Sequence, residues 1–254
     1  MKKKLYLIPT LLSDNTIQMA LPPDVLTIVH NLRQFIVEDV RTARRFLSKA
    51  GHPGPIDSLQ FHELNEHTPE SEIASLLPCL LADDTGLISE AGVPCVADPG
   101  AKIVRLAHTM GIKVVPLVGP SSILMALMAS GLNGQSFSFV GYLPVKSTER
   151  QERLRMLERR SANENQTQIF IETPYRNRQL LDDILKCCRP STMLTIAADI
   201  TGTNEFILTQ SIRQWKEKAP ELNKIPAVFL LHSQMTFTPA VHEINYNSCK
   251  SPKQ

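Results

Sequence analysis

A chain of 254 residues, 43% apolar and 20% charged, has the make-up of a globular protein with room for one large core or two modest ones. Its formal net charge of +2 excludes a globally basic field, so any contact with nucleic acid has to be local. The five cysteines form no C-x-x-C and no disulfide framework, which points to a reducing, cytoplasmic setting, and no stretch is long and apolar enough to read as a membrane span.

The opening MKKKLYLIPTLL has lysines followed by apolar residues, as a secretory leader does. The apolar part is short, carries Pro9 and runs into Ser13-Asp14-Asn15, so residues 4–8 read as a first core strand instead. A second strand is expected at 34–37, followed by a helix over 42–50 that Gly51 ends. Residues 59–62 form a weaker strand pattern, and Thr68-Pro69-Glu70 has the chemistry of a helix start. A strand at 86–88 precedes a helix opened by Asp98-Pro99, and 113–117 is again strand. Beyond Gly119-Pro120 come an apolar helix over 123–129 closed by Gly131, a strand at 137–140 and a charged helix over 148–160. A strand at 168–171 leads into Thr173-Pro174 and a helix reaching about Cys187; strands at 193–197, 206–208 and 228–231 complete the series. Strand–helix alternation in the first half predicts an α/β sheet with parallel members, and the consecutive strands of the second half predict a mixed sheet. The expected division is an N-terminal α/β domain over 1–117, a C-terminal α/β domain over 118–235 and a polar tail over 236–254.

Residues 86–100 read GLISEAGVPCVADPG, a strand followed by a loop of small residues and prolines. In an α/β sheet, ligands sit beyond the carboxyl ends of the strands, and glycine or alanine there lets main-chain groups approach a ligand. A tight surface crossover explains the same residues equally well. Gly119-Pro120-Ser121-Ser122 and Glu172-Thr173-Pro174-Tyr175-Arg176 supply two more polar turns at element ends, and neither G-x-G-x-x-G nor G-x-x-x-x-G-K-[ST] occurs.

Seven segments, LYLIPT, EDVR at 38–41, GLISEAGVPCVADPG, GIKVVPLVGPSS, ALMASGL, FVGYLPVKS and FIETPYR, together resemble the tetrapyrrole (corrin/porphyrin) methylase superfamily in order and spacing. The pattern is most similar to its branch of small-subunit ribosomal RNA cytidine 2′-O-methyltransferases, over about residues 4–232. The resemblance implies a homodimeric S-adenosylmethionine-dependent methyltransferase of two α/β domains, with the cofactor in the cleft between them. It assigns cofactor contacts to Pro9, Ser89, Glu90, Ala91, Gly92, Pro94, Ser121, Ser122, Ile171 and Glu172. Main-chain groups and serine hydroxyls suit the adenine, ribose and zwitterionic tail of such a cofactor.

Three segments depart from the family pattern: Leu11-Leu12-Ser13-Asp14-Asn15 after the first strand, Ala198-Asp199-Ile200-Thr201-Gly202, and Ile225-Pro226. The cofactor motifs are kept better than the acceptor motifs, as expected of a diverged paralogue. Glu38, Asp39 and Arg41 are the candidate catalytic residues, a carboxylate to take the acceptor's proton and a cation to hold a phosphate, though a helix cap with a local ion pair fits the same string. Lys146 and Arg176 are the candidate substrate contacts. Lys146, Arg150, Arg153, Arg155, Arg159 and Arg160 form the basic concentration; Glu149, Glu152 and Glu158 interleave with them, so a solvated helix face and an RNA-contacting edge both stand. The scattered histidines predict no metal site. RNA is the expected substrate; a tetrapyrrole or other small acceptor, or a silent RNA-associated protein that retains the cleft, are the competing expectations.

Overall fold

The computed structural model describes residues 3–14 and 17–233; the tail expected at 236–254 lies outside them. The first half contains β1 (Lys4–Ile8), α1 (Ile17–Ala20), α2 (Pro23–Asn31), β2 (Gln34–Val37), α3 (Val40–Lys49) and β3 (Gln60–Glu63). It continues with α4 (Glu70–Ile73), α5 (Leu77–Ala82), β4 (Thr85–Ile88), α6 (Ala101–Thr109) and β5 (Lys113–Pro116). The second half contains α7 (Ser122–Ser130), β6 (Phe137–Tyr142), α8 (Ser147–Glu164), β7 (Thr167–Ile171), α9 (Asn177–Cys187), β8 (Met193–Ala198), β9 (Phe206–Ser211), α10 (Ile212–Glu217) and β10 (Ala227–His232).

The strands form two five-stranded sheets, ordered β3-β2-β4-β1-β5 and β6-β7-β10-β8-β9. Every pairing of the first sheet is parallel. In the second only β6 and β7 are parallel, as the consecutive late strands require. Both sheets are covered on two faces, and the two-residue period of a strand sorts the side chains between them. Phe35 and Val37 join Ile8, Val29 and Leu47 on one face, while Ile36 joins Leu5, Leu87 and Ile103 on the other. In the second sheet Phe170, Phe229 and Leu231 pack toward Leu154, Leu180 and Trp215, and Ile169, Val228 and Leu230 pack toward Ala126 and Leu127 of α7.

Three local expectations shift. The helix expected from Thr68-Pro69-Glu70 is broken into pieces, with Pro78 in the first turn of α5, and Thr68 bonds Asn65 rather than capping. Asp98-Pro99 does not open α6 directly; the helix starts at Ala101 with no side-chain cap, because both Asp98 carboxylate oxygens are occupied by the main-chain N–H groups of Cys95 and Gly100, each at 2.7 Å. Helices at 17–20, 23–31 and 212–217 occupy stretches to which the pattern assigned no element; Pro23 at the start of α2 and the capping box of Ser211 and Gln214 at α10 mark two of these starts.

The basic concentration on α8 is partly structural. Arg150 is 2% exposed, its Nη2 lies 2.6 Å and its Nε 2.7 Å from Asp183 Oδ2, and its Nη1 donates to Val145 O at 2.9 Å. Burial opposes the charge of Asp183, but hydrogen bonds from Ser147, Gln151 and Arg150 outweigh it and hold the carboxyl below its ordinary range. The stabilisation is therefore full above the unfolded carboxylate range and is lost as pH falls through the lower folded value. Arg150→Ala leaves Asp183 buried and unpaired and should cost about 3–5 kcal/mol in urea unfolding, whereas Arg150→Met with Asp183→Leu should recover most of that loss.

Candidate active site

The carboxyl ends of β1, β2 and β4 coincide, since Ile8 and Val37 are both in register with Ile88. The segments that follow, Pro9-Thr10, Glu38-Asp39 and Ser89-Glu90, therefore leave the sheet at one edge, where an α/β sheet binds its ligands. Facing them are the ends of β7 and β8 and the start of α7. Between the two sets lies a cavity of about 350 Å³. Glu38, Ser89, Glu90, Ala91, Ser122, Ile171 and Glu172 line it, all of them residues singled out from the sequence.

Pro9, Gly92, Pro94 and Ser121 stand behind that lining. Pro9 packs on Gly119, where an added Cβ would overlap the proline ring. Gly92 has φ of +73°, its carbonyl accepts from the Thr10 main chain at 2.9 Å, and a Cβ there would come within 3.0 Å of Leu12 Cδ2 and 3.2 Å of the Pro120 carbonyl. Pro94 shares a small recess with Glu38, Ser89 and Asp98. Ser121 is the N-cap of α7, accepting from the Leu124 main chain.

The string at 38–41 is divided between roles. Glu38 faces the cavity, Asp39 caps α3 by accepting from Thr42 N at 2.7 Å, and Arg41 is exposed on that helix outside the lining. Arg176 donates to Glu172 Oε1 at 2.6 Å and so stiffens the cleft wall, while Lys146 pairs with Glu149 at 3.2 Å on the surface.

Several lining residues were not among the expected site residues: Asp98, Tyr142, Pro174, Ala197, Asp199, Ile200, Pro226 and Leu12 among them. Tyr142 reaches the cavity through a bulge in β6, where the two residues between Phe139 and Tyr142 oppose the single Phe170 of β7 and Gly141 takes φ of +70°. A glycine inside the strand pattern FVGY is the available signal for it. The three segments that depart from the family pattern converge here: Leu12, Asp199, Ile200 and Pro226 share the cavity, and Ser13 Oγ lies 2.9 Å from Thr201 Oγ1.

The cleft is acidic. Burial, then the charges of Glu90 and Asp98, raise the Glu38 carboxyl above its ordinary range against a hydrogen bond from the Glu90 main chain. Burial likewise raises Asp98, outweighing the hydrogen bonds from Gly100 and Cys95. Burial and the negative charge of Glu172 and Glu38 raise the Tyr142 phenol. Cys95 is pushed up to about 12 by burial and Asp98, so it stays a thiol. Two buried polar atoms of the lining, Ser89 Oγ and Glu172 Oε2, have no hydrogen-bond partner. A ligand with a positive centre and several hydroxyl and amine groups answers both features, since buried polar atoms need partners and clustered carboxylates favour a cation.

A family model described as Tetrapyrrole (Corrin/Porphyrin) Methylases matches residues 21–215. The chain belongs to this family. Its members are S-adenosylmethionine-dependent methyltransferases, and the acidic, partly unsatisfied cleft suits that sulfonium cofactor. Among curated relatives, the ribosomal RNA small subunit methyltransferase I of Xylella fastidiosa is 34% identical over 74% of this chain and 66% of its own length. The proteins of the same name from Vibrio cholerae and Pasteurella multocida are 32% and 33% identical, over 90% and 83% of this chain and 76% and 73% of theirs. Among solved structures, the methyltransferase CobJ has a TM-score of 0.59 at 16% identity over 91% of this chain and 94% of its own. The cobalt precorrin-4 methyltransferase CbiF has a TM-score of 0.57 at 12% identity, over 90% and 94%. At such identities these two show the shared fold.

A bound sulfonium favours ionised carboxylates, so cofactor affinity should rise with pH through the raised range of Glu38 and Asp98 and level off above it. Isothermal titration across that range checks this. Glu38→Gln should flatten the profile, and the demethylated product, which lacks the sulfonium charge, should show a shallower one. Gly92→Val, which forces a branched side chain into a positive-φ position beside Leu12, should weaken cofactor binding by more than about tenfold, roughly 1.4 kcal/mol or more.

Proposed function

We propose that the protein methylates a ribose oxygen of small-subunit ribosomal RNA, with S-adenosylmethionine in the cleft between an N-terminal lobe over 1–117 and a C-terminal lobe over 118–235. The relatives named as ribosomal RNA small subunit methyltransferases I, aligned over most of this chain, are the observation that carries the RNA assignment. Ser89, Glu90, Ala91, Ser122, Ile171 and Glu172 would hold the cofactor, with Pro9, Gly92, Pro94 and Ser121 shaping the main chain behind them.

The bound cofactor supplies a methyl group already activated by its sulfonium. What remains for the chain is to orient the acceptor, exclude water and receive a proton. A ribose hydroxyl is a poor acid, and Glu38, whose carboxyl holds its proton more tightly than usual, is the base we assign. The setting we infer is the cytoplasm, where ribosomal RNA is met. The working form we infer is a homodimer: Val118, Leu124 and Met128 are exposed on α7 and the turn before it, an apolar face that a second copy would cover. Sedimentation velocity should then give twice the chain mass, falling to the monomer for Met128→Glu.

The direct test is nucleoside mass spectrometry of small-subunit ribosomal RNA from cells with and without the gene. One 2′-O-methylated nucleoside should disappear with the gene and return with the wild-type chain. Glu38→Gln should restore methylation at a rate lower by about 10²–10⁴ while binding cofactor within tenfold of wild type. An unchanged nucleoside profile, with the cofactor still bound in vitro, would move the acceptor to another molecule.

A further inference from the structure

A second cavity, about 940 Å³, lies between α3 and the loop after β1. It shares Leu12, Glu90 and Ala91 with the cofactor cleft, so the two spaces meet at those residues. One wall is the exposed face of α3. That helix carries Arg41, Arg44, Arg45 and Lys49 and no carboxylate, and its other face, Ala43, Phe46 and Leu47, is buried in the core. Arg44, Arg45 and Lys49 line the groove together with the hydroxyls of Thr42 and Ser48.

Three carboxylates also border it: Asp14, Asp57 and Glu90. Asp57 lies 3.3 Å from Arg44 and Asp14 lies 3.9 Å from Lys49, and both acids are fully open to solvent. Exposed pairs of this kind are weak and readily exchanged for a phosphate. Arg45 makes no ion pair or hydrogen bond among the described residues. On α8, Arg150 is buried on Asp183 and Arg160 pairs with Glu164 at 3.1 Å, whereas Arg153, Arg155 and Arg159 make no ion pair among the described residues; what sets α8 apart is that none of its residues lines this groove or the cleft it opens onto.

We propose that this groove is the bed for the acceptor RNA's sugar–phosphate backbone, with Arg45 and Lys49 contacting phosphates and the junction at Leu12, Glu90 and Ala91 admitting the target ribose to the cofactor. The inference rests on the reading of the protein as an RNA methyltransferase and adds which face receives the strand. Charge complementarity carries it: a cationic helix face with adjacent hydroxyls opens onto the cleft that holds the methyl donor.

The test uses the full chain, purified small-subunit ribosomal RNA as probe, and binding measured as a function of salt. Each lost phosphate contact lowers the slope of log K against log salt by about 0.7–0.9, so Arg45→Ala with Lys49→Ala should lower it by about 1.4–1.8 and leave S-adenosylmethionine binding unchanged. Arg155→Ala with Arg159→Ala on α8 is the control and should leave the slope as in wild type. A normal slope for the α3 variant, beside a wild type that binds RNA, overturns the groove and leaves the RNA reading standing. A lowered slope for the α8 variant alone moves the strand to that helix. No salt-dependent RNA binding by wild type that still binds cofactor sinks both readings and favours a small acceptor. Circular dichroism and thermal melting confirm that the variants fold.

Discussion

The alignment of three parallel strands governs the chemistry of this molecule. β1, β2 and β4 end in register, so the chain leaves the sheet three times at one line. A parallel ladder cannot slip by one residue without turning Phe35, Ile36 and Val37 to the wrong faces, and each face is packed. Core packing on both sides thus fixes where Pro9, Glu38 and Ser89 emerge. The cleft inherits its precision from buried apolar side chains that touch no ligand.

Loop shape then turns that placement into a binding surface. Asp98 binds the main chain at Cys95 and Gly100, and two non-glycine residues of the same loop, Cys95 and Ala97, are held at φ of 71° and 61°. Such conformations are costly unless the surroundings enforce them, and here one carboxylate does so. The same Asp98 borders the cavity and adds to the negative field on Glu38. Fold and electrostatics meet in a single side chain. The sequence alone also allowed a plain crossover; the fold places this small-residue loop along the cavity wall.

The strands were the most legible part of the fold. Two of them, 4–8 and 34–37, keep the bounds expected from their apolar runs, because buried parallel strands are short and continuous in pattern. Helix starts were less legible where prolines or side-chain competition intervened, as at Pro78 and Asp98. Within the site, the motif-borne residues of the β4 loop and of β7 gather at the cleft. The unread part belongs to residues that arrive by long-range packing: Asp199 and Ile200 after β8, Pro226 before β10, and Leu12 crossing from the first half to pack on the second. No spacing along the chain encodes that meeting. Departures from the family pattern were visible at each of these segments, but only the fold shows that they are one neighbourhood.

On the proposed reading, the opposed charges of the two adjoining cavities match the two ligands assigned to them. A sulfonium needs negative charge close by, and a phosphate chain needs positive charge, so one surface cannot serve both. The carboxylates of the cleft are partly buried, where the field is strong and salt penetrates little, while the α3 cations stand in solvent, where a Debye length of about 8 Å at physiological salt screens them. The separation has a kinetic consequence. On that reading, raising salt would release a polyanion from the α3 face without loosening the cofactor, so the acceptor would exchange more freely than the donor. For an enzyme with the proposed large acceptor and a small donor, that division would let one charged cleft wait, loaded, for successive strands.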